Sequence, residues 1–149
     1  MTLLRRSMFL FIVLGLFAAC ASTAPVAETE AARIAQAMER QGAELSNLRA
    51  VPLGGRSSER VIENRGFDIP GISIDDDEPA GTIRIYKGEQ EAESERRLYG
   101  LLGRPGPETK LDYVTVTGTR GLILHYQLPQ GVAQRYIDAF TGVPEEAAQ

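Results

Sequence analysis

The chain has 149 residues, 43% of them apolar, with 16 basic and 20 acidic side chains, one histidine and one cysteine. A lone cysteine excludes an internal disulfide, and with a single histidine beside it no cysteine and histidine zinc set can form. The net charge of −4 opposes phosphate backbones and anionic headgroups, so nucleic-acid binding is not expected.

Met1 to Ser7 carry Arg5 and Arg6, Met8 to Phe17 are almost wholly apolar, and Phe17-Ala18-Ala19-Cys20 closes the run with small residues and the cysteine. A basic start, an apolar core and a small-residue end make an export signal. The apolar core of about ten to twelve residues is short of the roughly 20 that a helix needs to cross a bilayer. Residues 1–19 are therefore expected to be a removable signal peptide. Leu16 to Cys20 resembles the lipobox of bacterial lipoproteins, with Phe17 where leucine is commonest. The resemblance implies acylation of Cys20, a palmitate-type lipid anchor, and, because Ala21 rather than aspartate follows, the outer membrane facing the periplasm. The other reading is an ordinary signal cleaved at Ala19-Cys20-Ala21, which leaves no lipid. Removing residues 1–19 leaves 130, enough for one core and too few for two. It also takes Arg5 and Arg6 from the 16 basic residues, leaving 14 against 20 acidic ones, about −6.

Residues 20–30 read as a flexible tether, small and polar with Pro25. Over 31–50 a helix is expected, because Ala31, Ile34, Met38, Gln41, Leu45 and Leu48 recur at spacings of three and four while charged residues fall elsewhere. That face can pack onto the rest of the domain or, as an alternative, form a coiled coil with another subunit. Pro52 and Gly54-Gly55 stop it near Ala50.

Residues 51–142 are expected to form one small α+β domain: an antiparallel meander of about three to four strands packed against one or two helices. Ser57 to Asn64 reads as a short helix stopped by Gly66. The acidic run Asp75 to Glu78 reads as a solvated turn, since Pro79 and the missing alternate spacing argue against a calcium loop. Thr82 to Lys87 alternates as a half-buried strand. From Glu89 a helix follows, with carboxylates early, Leu98, Leu101 and Leu102 as its expected buried stripe, and Gly103 and Pro105 ending it.

Val114 and Val116 alternate with Tyr113, Thr115 and Thr117, Gly118 to Gly121 makes a turn, and Leu122 to Leu128 alternates again, so a hairpin is expected. Over 132–141 two periods compete: Val132, Ala133, Tyr136, Ile137 and Phe140 also make a helical stripe. The Pro129-Gln130-Gly131 turn favours a third strand through Asp138. Residues 143–149 read as a disordered tail.

No motif carries catalysis. His125 has no acid near it in sequence, and the chain holds no G-x-S-x-G elbow and no phosphate loop. No enzyme, cofactor or metal is expected. Residues 98 to 132 resemble the SmpA/OmlA-type lipoprotein of the outer-membrane β-barrel assembly machinery, on Leu102-Gly103-x-Pro105, Asp112-Tyr113-Val114, Leu122-x-Leu124-x-Tyr126 and Gly131-Val132. The resemblance implies a periplasm-facing assembly module that docks another envelope protein. Tyr113, Thr115, Thr117, Ile123, His125 and Gln127 are the expected docking face, mixed apolar and polar. Leu45-Ser46-Asn47-Leu48-Arg49-Ala50 is similar to the L-S-x-x-R-A motif of the OmpA-type peptidoglycan-binding domain, which implies as an alternative that Arg49 holds a wall-peptide carboxylate.

Overall fold

A computed structural model of the chain describes residues 28–55, 57–74 and 78–145. The signal, Cys20, most of the tether, the acidic residues 75–77 and the end of the tail lie outside them. The described part is mixed α+β, a five-stranded antiparallel sheet with four helices.

The first helix, α1, spans Glu30–Arg40, where Thr29 in extended conformation accepts from the Ala32 N–H at 3.3 Å through its hydroxyl. Ala31, Ile34, Ala35, Ala37 and Met38 are its buried stripe. The helix ends ten residues before the expected Ala50. Gly42 takes φ 89°, its N–H bonds to the Glu39 carbonyl at 2.9 Å, and the Ala43 N–H reaches Met38 at 3.1 Å. That pair of bonds turns the chain out of the helix with a left-handed glycine at the corner. Ser46–Ala50 is consequently a strand, β1, rather than two more helical turns.

After a four-residue helix α2 (Ser57–Arg60) come β2 (Val61–Asp68) and β3 (Gly81–Tyr86). The expected helix over 57–64 therefore ends at Arg60, because its second half pairs with β3, Glu63 opposite Ile85 and Asn64 opposite Arg84. Helix α3 covers Glu89–Leu102, β4 is Tyr113–Thr117, β5 is Arg120–Leu124, and α4 is Gln130–Thr141. The sheet order is β1-β2-β3-β5-β4, so the count exceeds the three to four strands expected.

The third hairpin strand expected over 132–138 is α4. Pro129 caps it, its carbonyl accepting from Val132 at 2.9 Å and Ala133 at 3.0 Å. Ala133, Tyr136, Ala139 and Phe140 are buried, so the helical period prevails over the turn signal. β5 stops at Leu124 because His125 to Leu128 already curls, Leu128 N–H bonding the His125 carbonyl at 3.1 Å.

Helices α1 and α4 share one face of the sheet. Ile34, Met38, Phe67, Ile83, Leu122, Leu124, Tyr136 and Phe140 form a single core there, with the Phe67 and Tyr136 rings 6.1 Å apart. α1 is thus part of the domain, not a separate element before it. Val143 is buried and the Arg120 guanidinium donates to the carbonyls of Val143 and Pro144, so the fold continues past 142, where a tail was expected. α3 covers the opposite face, with Ala92 against Val61 and Tyr86.

Candidate functional site

The six residues expected to form one docking face do not share one. In the β4–β5 pair Tyr113 lies opposite Leu124, Thr115 opposite Leu122 and Thr117 opposite Arg120. Directly opposed residues of an antiparallel pair point to the same face, so this series joins the core leucines under α4. Tyr113 is buried and its hydroxyl donates to the Leu128 carbonyl at 3.3 Å. Ile123 pairs with Val114 and is buried on the α3 side. His125 and Gln127 lie beyond the strand. The His125 Nε2 is 3.1 Å from a Glu78 carboxylate oxygen, and its ring packs 4.4 Å from Tyr126. Sequence alternation separated the faces within Tyr113–Thr117 and over 122–124, but it carried the second strand on to Leu128, past its end at Leu124, and it mismatched the faces between strands, because register is set by the turn.

What the register leaves open is the edge of β4. Thr117 and Arg120 close the hairpin across Gly118 and Thr119, so the backbone groups of Thr117, Thr115 and Tyr113 point to β5 and those of Val114 and Val116 point outward. β4 holds no charge, no proline and no register shift. The opposite edge, β1, is protected: Arg49 lies on it, Asn47 takes φ 53°, and the pairing with β2 shifts between Ser46 and Arg49. Alongside β4 runs a groove of about 210 Å³ lined by Arg104, Pro105, Tyr113, Val114, Gln130, Gln134 and Ile137.

Helix α3 differs from the expected leucine burial. Ala92 is fully buried and Glu95 is 4% exposed, whereas Leu98, Leu101 and Leu102 are 53%, 85% and 53% exposed. The N-terminal half sets the rotation: Ala92 sits over Tyr86, and Glu95 pairs with Arg84 on β3. The leucines then point away from the sheet.

Arg49 lines a second groove, about 400 Å³, with Asn47, Asp68, Ile72 and Glu78. Its motif lies on a strand rather than on the expected helix. The guanidinium bonds an Asp68 carboxylate oxygen at 2.8 Å, and the Asn47 amide donates to the other oxygen at 2.8 Å. Burial works against ionisation of Asp68, but the hydrogen bonds from Asn47 and Arg49 outweigh it and hold the pKa below the ordinary range. Asp68 was not legible as a site residue, because 19 positions separate it from Arg49 and only the β1–β2 pairing joins them.

Arg84, Glu95 and Asn64 form a polar network under α3. Arg84 bonds Asn64 at 3.2 Å as well as Glu95, and Asn64 donates to the Val51 carbonyl at 3.0 Å. Asp112, whose pKa burial raises, accepts from the Tyr126 N–H at 3.0 Å. The Tyr86 hydroxyl is buried beside Arg84, and burial raises its pKa. Among the described residues no cluster of three histidine, cysteine or carboxylate groups is placed to hold a metal, and no helix is long and apolar enough to cross a membrane.

Comparison of the chain with models of known protein families, with curated proteins and with solved structures found no match.

Proposed function

We propose that the chain is an exported, lipid-anchored, non-enzymatic module of the bacterial outer membrane, facing the periplasm, that docks another envelope protein. The signal and the lipobox-like end at Cys20 support the address. The observation that carries docking is the open β4 edge, five uncharged residues that a partner's extended segment can extend by main-chain hydrogen bonds. The groove beside Val114 offers a place for the partner's side chains.

Two experiments test this reading. Tagged protein recovered from detergent-solubilised envelopes should bring a partner that Val114→Pro and Thr117→Lys both lose, since one removes an outward donor and the other charges the edge. A partner retained by both variants would place the docking surface elsewhere. Separately, mass analysis of the mature N-terminus should find acylated Cys20 and none in Cys20→Ser, while an unmodified start at Ser22 would remove the anchor from the proposal.

A second reading, peptidoglycan binding, is favoured by one observation: Arg49 and Asp68 form a charge pair lining a groove. Together they offer a cation for a wall-peptide carboxylate and an anion for an amine.

A further inference from the structure

We propose that the C-terminal half of α3 and the loop after it form a contact site for an anionic lipid bilayer. This surface lies on α3 and its loop and meets the β4 groove at Arg104, and the inference stands whether or not Cys20 is acylated. Leu98, Leu101 and Leu102 are spaced to share one helix face and are 53%, 85% and 53% exposed. Ala92 and Glu95 fix the rotation of α3, so the leucines cannot turn inward without breaking the Arg84 pair.

The charge around them indicates the occupant. The first half of α3 carries Glu89, Glu91, Glu93 and Glu95, and no cation. From residue 96 to 110 the chain carries Arg96, Arg97, Arg104 and Lys110 against the single carboxylate of Glu108. Arg96 and Arg97 share Glu93, at 2.7 and 2.9 Å. Arg104 and Lys110 have no carboxylate within ion-pair distance among the described residues. In a chain of net charge −4, this is a reversal of charge along the stretch of sequence that contains the exposed leucines. Leucines seat in the headgroup and acyl boundary while long cationic side chains reach phosphates. A second copy docked on the same face would bring like charges together at close range.

The buried core lies between Ala31 and Val143, so the chain beginning at Ala21 carries every described contact and is the protein to test. It contains no tryptophan, so Leu101→Trp, at an exposed position, is a sole reporter. With vesicles of phosphatidylcholine containing about one third phosphatidylglycerol, its emission should shift to the blue and the protein should cosediment. Phosphatidylcholine alone should bind about tenfold more weakly or less, and high salt should release the protein. Leu98→Ser with Leu102→Ser, and separately Arg104→Glu with Lys110→Glu, should each weaken binding about tenfold while circular dichroism stays unchanged. Three results would overturn the proposal: no shift with anionic vesicles, equal binding to both vesicle types, or a blue shift without vesicles that grows with protein concentration. The last would assign the leucines to a second copy.

Discussion

A carboxylate oxygen of Glu63, in the middle of β2, accepts the backbone N–H of Ala31 at 3.0 Å across 32 positions of sequence. The first turn of α1 is thereby capped from the sheet as well as by Thr29, and Arg65 holds the other Glu63 oxygen at 3.0 Å. A helix start has N–H groups with no partner inside the helix, so Glu63 fastens α1 where its apolar stripe enters the core. Glu63→Ala should cost about 1–2 kcal/mol, read as a lower urea midpoint with an unchanged slope. Glu63→Gln should lose less, because its amide oxygen still accepts.

Acid should destabilise the domain in a stated direction. For Glu63, burial opposes ionisation, but hydrogen bonds from Thr29, Ala31 and Arg65 prevail and lower the pKa; Asp68 is lowered in the same manner by Asn47 and Arg49. A lowered pKa means the unfolded chain binds more protons, so this stability is present above the ordinary carboxylate range, below about pH 4 it declines, and it is lost as pH falls through the folded values. Asp112 runs the other way: burial raises its pKa, so its cost at neutral pH is relieved as it protonates. Urea midpoints from pH 7 down should fall in acid. Glu63→Gln with Asp68→Asn should flatten that fall, and a fall unchanged in the double variant would contradict the assignment.

The Arg84–Glu95 pair should show the asymmetry of buried charge. Glu95 is 4% exposed, so Glu95→Ala strands the guanidinium and should cost about 3 kcal/mol or more. Arg84→Met with Glu95→Leu removes both charges and should cost less than Glu95→Ala alone. Equal losses in calorimetry would mean that water reaches Arg84 under α3.

Gly81 permits the closest packing in the sheet. A Cβ there would collide with the Phe67 ring and come within 2.8 Å of a Leu124 methyl. Both neighbours belong to the main core, so Gly81→Ala should lower stability by about 1–3 kcal/mol, and Gly131→Ala, which meets nothing within 4 Å, should not. Similar thermal shifts for the two would show that the core yields.

Arg49 separates the two functional readings. If the β4 edge is the working surface, the chain beginning at Ala21 should not pellet with isolated peptidoglycan sacculi, and Arg49→Ala should behave as wild type. Saturable pelleting abolished by Arg49→Ala would favour the wall-binding reading. Asp68→Asn then tests whether the pair acts as a unit.

Local chemistry alone determined much of this protein. The strand over Gly81–Tyr86, the helix from Glu89 and the 113–124 hairpin are written in periods of two and 3.6 and in glycine and proline placement, all of which act over a few residues. The tertiary structure decided the rest. Residues 46–50 became β1 because Gly42 turned the chain and β2 offered a pairing edge, and 130–141 became α4 because Tyr136 and Phe140 had a core to enter. Which strand faces coincide, whether Leu101 is buried, and that Arg49 meets Asp68 depend on register and helix rotation. Those are set by contacts between distant residues, such as Arg84 with Glu95, whose free energy no local pattern records.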